Sequence, residues 1–151
     1  MVKEEPDTGV ELRARALRLL ARREHSRVEL ARKLAPRAES PGALGDLLDS
    51  LEQKQQLSDA RFAEVRVRQL SRKYGAARIR QDLKANGMGG DIIAGVSGEG
   101  ELERARAILD RKYRSEPATT REERAKRMRF LQSRGFSNDV IFRLLSARDT
   151  P

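Results

Sequence analysis

Apolar residues recur along the chain at spacings of three and four, the period of a helix that buries one face. Leu17, Leu20 and Ala21 share such a face, as do Leu30 and Leu34, and then Leu44, Leu47, Leu48 and Leu51. Phe62, Ala63 and Val65 continue the pattern, followed by Ile79 and Leu83, and by Ile92, Ile93 and Val96. Leu102, Ala105, Ile108 and Leu109 come next, then Phe130 and Leu131, and last Val140, Ile141, Leu144 and Leu145. No alternating run rich in Val, Ile and Thr lies between turn residues, so no strand is expected. The chain reads as about nine short helices.

Local chemistry marks where these helices begin and end. Ser26-x-x-Glu29 predicts a capping box, with the serine accepting from the Glu29 amide and the carboxylate reaching back to the cap. His25 before that cap and Leu30 after it are placed to form a hydrophobic staple, as are Leu57 with Phe62 around Ser58, and Tyr74 with Ile79 around Gly75. Thr119-x-x-Glu122 and Thr120-x-x-Glu123 offer a further start. Gly87 and Gly135, each followed by an apolar residue (Met88, Phe136), sit where a helix stops on a left-handed residue. Pro36, Pro41 and Pro117 break the chain between helical patterns.

These signals fall into register with one another. Leu34, Leu83 and Leu131 are separated by 49 and 48 residues, and Gly87-Met88 then matches Gly135-Phe136. Asp91-Ile92-Ile93-x-x-Val96 matches Asp139-Val140-Ile141-x-x-Leu144, and Asp46-Leu47-Leu48-x-x-Leu51 repeats the phrase near Pro41. The expected fold is all-α: three tandem three-helix repeats, roughly 11–56, 57–100 and 101–148, stacked into an elongated, curved rod. Residues 1–10 and 149–151 are polar and lack a helical pattern, so they are expected to be mobile.

Charge changes the picture more than overall composition does. The 151 residues carry 32 Lys+Arg against 23 Asp+Glu, a net charge of +9, but the excess is concentrated. Eight basic residues face two acidic ones between 61 and 84, and eleven face four between 104 and 134, whereas 85–103 holds four acidic residues and no basic one. Such stretches suit a polyanionic partner, and the predominance of Arg suits bidentate recognition of phosphate or carboxylate. The absence of Cys excludes a disulfide framework and a thiolate metal site, and a single His, His25, excludes multi-histidine zinc sites and leaves a Ser-His triad without support. No run is apolar enough to span a bilayer and the first residues are no signal peptide, so a soluble, cytoplasmic protein without membrane contact is expected.

Catalytic motifs are equally scarce. No phosphate-binding Gly-x-x-x-x-Gly-Lys loop is present, and Gly87-Met88-Gly89-Gly90 places Ile92 where a dinucleotide fingerprint needs glycine. Glu99, Glu101 and Glu103 form a carboxylate run that reads as compensation of a helix dipole rather than a magnesium site. Phe62, Phe130 and Phe142 fall at core-like positions and Tyr74 and Phe136 at helix starts, which argues against a stacking platform for single strands. The expectation is a non-enzymatic binder that needs no cofactor and no metal.

Three stretches resemble the RecX family, bacterial regulators of the RecA recombinase, over about residues 11–148. They are His25-Ser26-x-x-Glu29-Leu30-x-x-Lys33-Leu34, then Ser58-Asp59-x-Arg61-Phe62-Ala63 with Tyr74-Gly75-x-x-x-Ile79-Arg80-x-x-Leu83-x-x-x-Gly87-Met88, and Lys126-Arg127-x-x-Phe130-Leu131-x-x-x-Gly135-Phe136. The chain departs from that pattern at Glu64-Val65-Arg66-Val67, where the family often has an aromatic, and at Ala76-Ala77, where it often has Pro. The resemblance implies a monomer that binds the RecA protein filament, with weak, non-specific affinity for single- and double-stranded DNA. It further implies that RecA ATPase, strand exchange and coprotease activity are modulated, mainly inhibited, by lying in the filament groove or blocking its extension. Candidate contacts are Arg66, Arg68, Arg72, Lys73, Arg78, Arg80 and Lys84 in the middle repeat, and Arg124, Lys126, Arg127, Arg129 and Arg134 in the third. The alternative is a stand-alone DNA-binding protein, helix-turn-helix-like or architectural.

Overall fold

The computed structural model of the protein describes residues 5–146, and among them every regular element is helical. The α-helices are α1 (Gly9–Arg22), α2 (Arg27–Leu34), α3 (Pro41–Gln53), α4 (Asp59–Leu70), α5 (Ala76–Ala85), α6 (Gly90–Ala94), α7 (Glu101–Tyr113), α8 (Arg121–Ser133) and α9 (Asn138–Ser146), with a 3-10 turn at Ala35–Arg37.

The helix starts follow the local chemistry. Ser26 Oγ accepts from the Glu29 amide at 3.0 Å, Ser40 Oγ from Ala43 at 3.0 Å and Ser58 Oγ from Arg61 at 3.2 Å, each satisfying an amide that its helix leaves unpaired. Thr120 and Glu123 cap α8 reciprocally. The box expected at Ser26 is only half formed. Glu29 gives its two oxygens to Arg23, at 2.9 and 2.6 Å, because a bidentate guanidinium is a stronger partner than one neutral amide.

The stops hold as well. Gly135 has φ +87° and Gly87 φ +76°, with Phe136 and Met88 buried behind them. At Gly135 the requirement is double: a Cβ there would lie 2.4 Å from the Arg78 Cβ and 2.6 Å from its backbone nitrogen. The Gly75 amide donates to the Arg134 carbonyl at 2.7 Å beside it, so α8 ends where α5 begins.

One device recurs at equivalent places. Arg27 and Ala76 open α2 and α5, and each donates its amide to a carboxylate from the first turn of a helix far along the chain. Arg27 N–H reaches Asp59 Oδ1 of α4 at 2.8 Å, and Ala76 N–H reaches Glu101 Oε1 of α7 at 2.5 Å. Glu101 and Glu103 stand in the first turn of α7, as dipole compensation requires, and Glu101 is in addition buried and caps α5.

The described chain divides into two compact units. The first comprises the residues up to Val65 together with Ala85–Gly89, and the second comprises Arg66–Lys84 and the chain from Gly90 onward. In the first, α1, α2 and α3 pack around Leu12, Ala16, Leu30, Leu34, the four leucines of α3 and Leu57. In the second, α7, α8 and α9 pack around Ala105, Ile108, Leu109, Leu131, Phe136, Ile141, Leu144 and Leu145. Each of these large apolar side chains contributes about 1.5–3 kcal/mol when fully buried.

Several expected positions differ. The α1 core face is Leu12 and Ala16, not Leu17, Leu20 and Ala21; Leu17 and Leu20 are only partly buried and Ala21 is exposed. The helix starts at Gly9, earlier than its apolar pattern suggests, and so the buried stripe lies one turn nearer its beginning. The tail expected to be mobile over 1–10 is anchored in its described part. Asp7 is 4% exposed and pairs with Arg15 at 2.8 Å and Arg37 at 2.9 Å, while residues 1–4 and 149–151 lie outside the described residues. Val65 is exposed, and Phe142, expected in the core, is 70% exposed. The α6 helix stops at Ala94, so Val96 is buried from the loop beyond it.

Candidate functional site

All twelve candidate cations lie in the second unit, but the fold uses them in different ways. Arg66 is committed to Asp82 through two hydrogen bonds of 2.8 Å that tie α4 to α5. Arg80 donates to the Val96 carbonyl at 2.9 Å and holds the loop after α6. Arg124 is half-buried and engaged within the fold. Arg127 is buried over the Tyr113 ring at 4.3 Å, and Lys126 lies beside it. Arg68, Lys84 and Arg129 are exposed.

The remaining four converge. Arg72 and Lys73, from the turn between α4 and α5, and Arg134, after α8, line a cleft of about 530 Å³. Tyr74, Ile108, Arg111, Lys112 and Phe130 complete its walls. Arg78 stands beside it, with its guanidinium 4.8 Å from the centre of the Tyr74 ring; Arg134 covers the same ring at 5.4 Å. A second recess of about 410 Å³ adjoins the cleft, sharing Arg72, Ile108 and Arg111 and adding Arg104. Neither lining contains a carboxylate.

The charge of the cleft is uncompensated by design of the helix ends. Arg111 Nη2 donates to the Arg72 carbonyl at 2.6 Å, and Arg134 Nη1 comes within 3.5 Å of the Lys73 carbonyl. These carbonyls follow the end of α4, where the helix dipole favours cations. A carbonyl fixes the direction of a guanidinium without neutralising it. Among the described residues Arg72, Lys73, Arg111, Lys112 and Arg134 make no ion pair with a carboxylate, so five cations remain in one concavity. The aromatic rings serve as supports. Lys112 Nζ lies 4.1 Å and the Arg134 guanidinium 5.1 Å from the centre of Phe130, which packs edge-to-face on Tyr113 at 6.3 Å. Phe130, expected in the core, is therefore a half-buried wall of the cleft, where ring faces attract cations.

Arg104, Arg111 and Lys112 were absent from the candidate set although they lie in the second basic stretch. Arg104, Ile108 and Arg111 stand at spacings of four and three, which places them on one helical face. That spacing was a signal, but only the packing of α7 shows that this face lines a cleft rather than open solvent. Among the described residues no group of acidic and histidine side chains is placed to hold a metal ion, and no helix is long and apolar enough to cross a membrane.

Family models described as the second and third three-helix domains of RecX match residues 58–96 and 99–145. The chain is 44% identical over 147 residues to "Regulatory protein RecX" of Ralstonia nicotianae, covering 95% of this chain and 92% of that one. It is 47% identical over 139 residues to the protein of the same name from Herbaspirillum seropedicae, covering 90% of each. The crystal structure of RecX from Lactobacillus salivarius superimposes with a TM-score of 0.79 over 93% of this chain and 96% of that one, at 20% identity. A second crystal structure of a regulatory protein RecX gives 0.73 over 92% and 73%, at 23% identity. At that identity the two structures speak for the fold.

Proposed function

This chain belongs to the RecX family of regulatory proteins, and we propose that it regulates by binding the RecA–DNA filament. The observation that carries the reading is the cleft of the second unit: five cations, two aromatic faces and no carboxylate. A filament formed on DNA offers phosphates, and neutralising them releases condensed counterions, which favours such a surface over a neutral one. The protein acts as a cytoplasmic monomer without catalysing a reaction. By occupying the filament groove or blocking extension it lowers RecA ATPase, strand exchange and coprotease activity. The repeats at 11–56, 57–100 and 101–148 are its units of contact, and weak contacts add through effective concentration along a repeating polymer.

Within the candidate set, Arg72, Lys73, Arg78 and Arg134 are the phosphate contacts, joined by Arg104, Arg111 and Lys112. Arg66 shapes the unit rather than touches the partner, since Asp82 already neutralises its guanidinium, and Arg80 stands outside the lining of the cleft. Free DNA, single- or double-stranded, binds the same cleft weakly and without sequence preference.

The test is a titration of the protein into its cognate RecA on single-stranded DNA, read as ATP hydrolysis. Sub-stoichiometric protein is expected to suppress the rate. The Arg72→Glu/Lys73→Glu variant is expected to need about tenfold more protein, because it reverses two phosphate-facing charges. Both side chains are exposed and only their backbone groups serve the fold, so helicity stays unchanged. No suppression by the wild-type protein would refute the reading. Tight, sequence-selective DNA binding without RecA would favour a stand-alone DNA-binding protein.

A further inference from the structure

We propose that the cavity of about 530 Å³ beside Arg127 is a carboxylate-binding site that accepts an acidic side chain of a protein partner. It lies on the other side of the Tyr113–Phe130 pair from the cationic cleft: α7 sends Lys112 to the cleft and Tyr113 to the cavity, and α8 sends Phe130 to the cleft and Arg127 to the cavity.

Arg127 is only 5% exposed, yet its Nε and Nη1 find no acceptor among the described residues. The hydroxyl of Tyr113, a residue that lines the same cavity, is likewise buried without a partner. A guanidinium withdrawn from water and left without an anion is the costly half of an ion pair. Its stacking on Tyr113 at 4.3 Å offsets only part of that cost. Glu123, one turn earlier on the same helix, makes no ion pair with Arg127: its Oε2 is turned to the cap, where it accepts from the Thr119 amide at 2.7 Å, the Thr119 hydroxyl at 3.2 Å and the Thr120 amide at 3.4 Å. These bonds, with a smaller contribution from the charge of Arg127, hold its carboxyl below the ordinary value, so it stays ionised in the cap.

The ligand class follows from the rest of the lining. Glu116 and Glu123 share the cavity with Lys126 and Arg127, so a polyanionic backbone running past would meet two carboxylates. A single carboxylate needs only the planar fork of the guanidinium and the phenol hydroxyl, a fit that Lys cannot reproduce. The Tyr113 ring and Pro117 supply apolar walls for the methylene stem of an Asp or Glu. The unit thus addresses phosphate on one side of an aromatic wall and carboxylate on the other, and the second property stands whether or not the protein partner is RecA.

The experiment follows the Arg127 Nε–H resonance of the full ¹⁵N-labelled chain as a blocked peptide with a single glutamate, inorganic phosphate or an oligothymidylate is added. The peptide is expected to shift that resonance saturably, and phosphate and oligothymidylate to bind there several-fold more weakly, because Glu116 and Glu123 repel a multivalent anion. Arg127→Lys is expected to weaken the peptide roughly tenfold. Tyr113→Phe, which keeps the ring and removes only the hydroxyl, weakens it severalfold and serves if the lysine variant fails to fold. The Arg72→Glu/Lys73→Glu variant leaves peptide binding unchanged, which separates this site from the cleft. The proposal is overturned if the peptide leaves Arg127 unshifted, if phosphate or oligothymidylate binds as well there, or if Tyr113→Phe binds like the wild type.

Discussion

Replacing Glu101 by alanine removes the contact that joins α7 to the start of α5, together with a 3.9 Å ion pair to Arg104 within α7. Glu101 Oε1 accepts from the Ala76 amide at 2.5 Å, and both residues are buried. Removing the carboxylate leaves a buried N–H without an acceptor, which costs about 1–3 kcal/mol. It also removes a negative charge from the beginning of α5, worth about 0.3–1 kcal/mol and more when partly buried. The expected loss is about 2–4 kcal/mol. For a chain of this length each kcal/mol lowers Tm by about 2–4 °C, so a melt followed by circular dichroism falls by about 5–15 °C. Glu101→Gln keeps an oxygen acceptor but loses the charge, and a neutral hydrogen bond is roughly half as strong, so about 1 kcal/mol is lost. Glu103→Ala is the control: it stands in the same first turn of α7 but is exposed, and its removal costs at most about 1 kcal/mol. If Glu101→Ala and Glu103→Ala melt within about 1 °C of each other, both are dipole compensation and the cross-chain cap contributes nothing.

Gly135→Ala forces a side chain into a left-handed φ of +87° and against the backbone nitrogen of Arg78, so urea denaturation is expected to show a loss of at least about 2 kcal/mol. Burial holds the His25 imidazole below its ordinary value of 6.5, with Nδ1 donating to the Arg23 carbonyl and Nε2 facing the Lys33 ammonium. A depressed folded-state value means its stabilising contribution is complete above 6.5 and is lost as pH falls through the folded value; His25→Gln removes that slope from the denaturation midpoint measured against pH. Hydrogen bonds from Arg15 and then Arg37 hold the Asp7 carboxyl below 3.8, so its contribution is present above that pH and disappears further down, a stage that Asp7→Asn abolishes. Affinity for oligothymidylate should fall with salt at a logarithmic slope of about −3 to −4 if five cleft cations each meet a phosphate, and Arg72→Glu/Lys73→Glu should flatten it; an unchanged slope would place the DNA elsewhere.

What the sequence determined alone is whatever a helix settles within about one turn. Leu30, Leu34, Leu47, Leu48 and Leu51 are buried as their spacing requires, because side chains three and four apart share a face wherever the helix lies. The caps at Ser26, Ser58 and Thr120 and the stops at Gly87 and Gly135 are equally local, and so is their recurrence along the chain. Charge density in the two basic stretches was visible too, but not its use. Arg66, Arg72 and Arg127 look alike in sequence; one is paired to Asp82, one faces a cleft and one is buried on a tyrosine. Only the packing of α7 and α8 against the α4–α5 turn brings residues 72–74, Ile108, Arg111, Lys112, Phe130 and Arg134 into one concavity, and only it turns Glu101 toward Ala76. The reason is physical. Periodicity and capping depend on neighbours fixed by the covalent chain, whereas a guanidinium's role depends on which distant carboxylate, carbonyl or ring the folded chain places beside it.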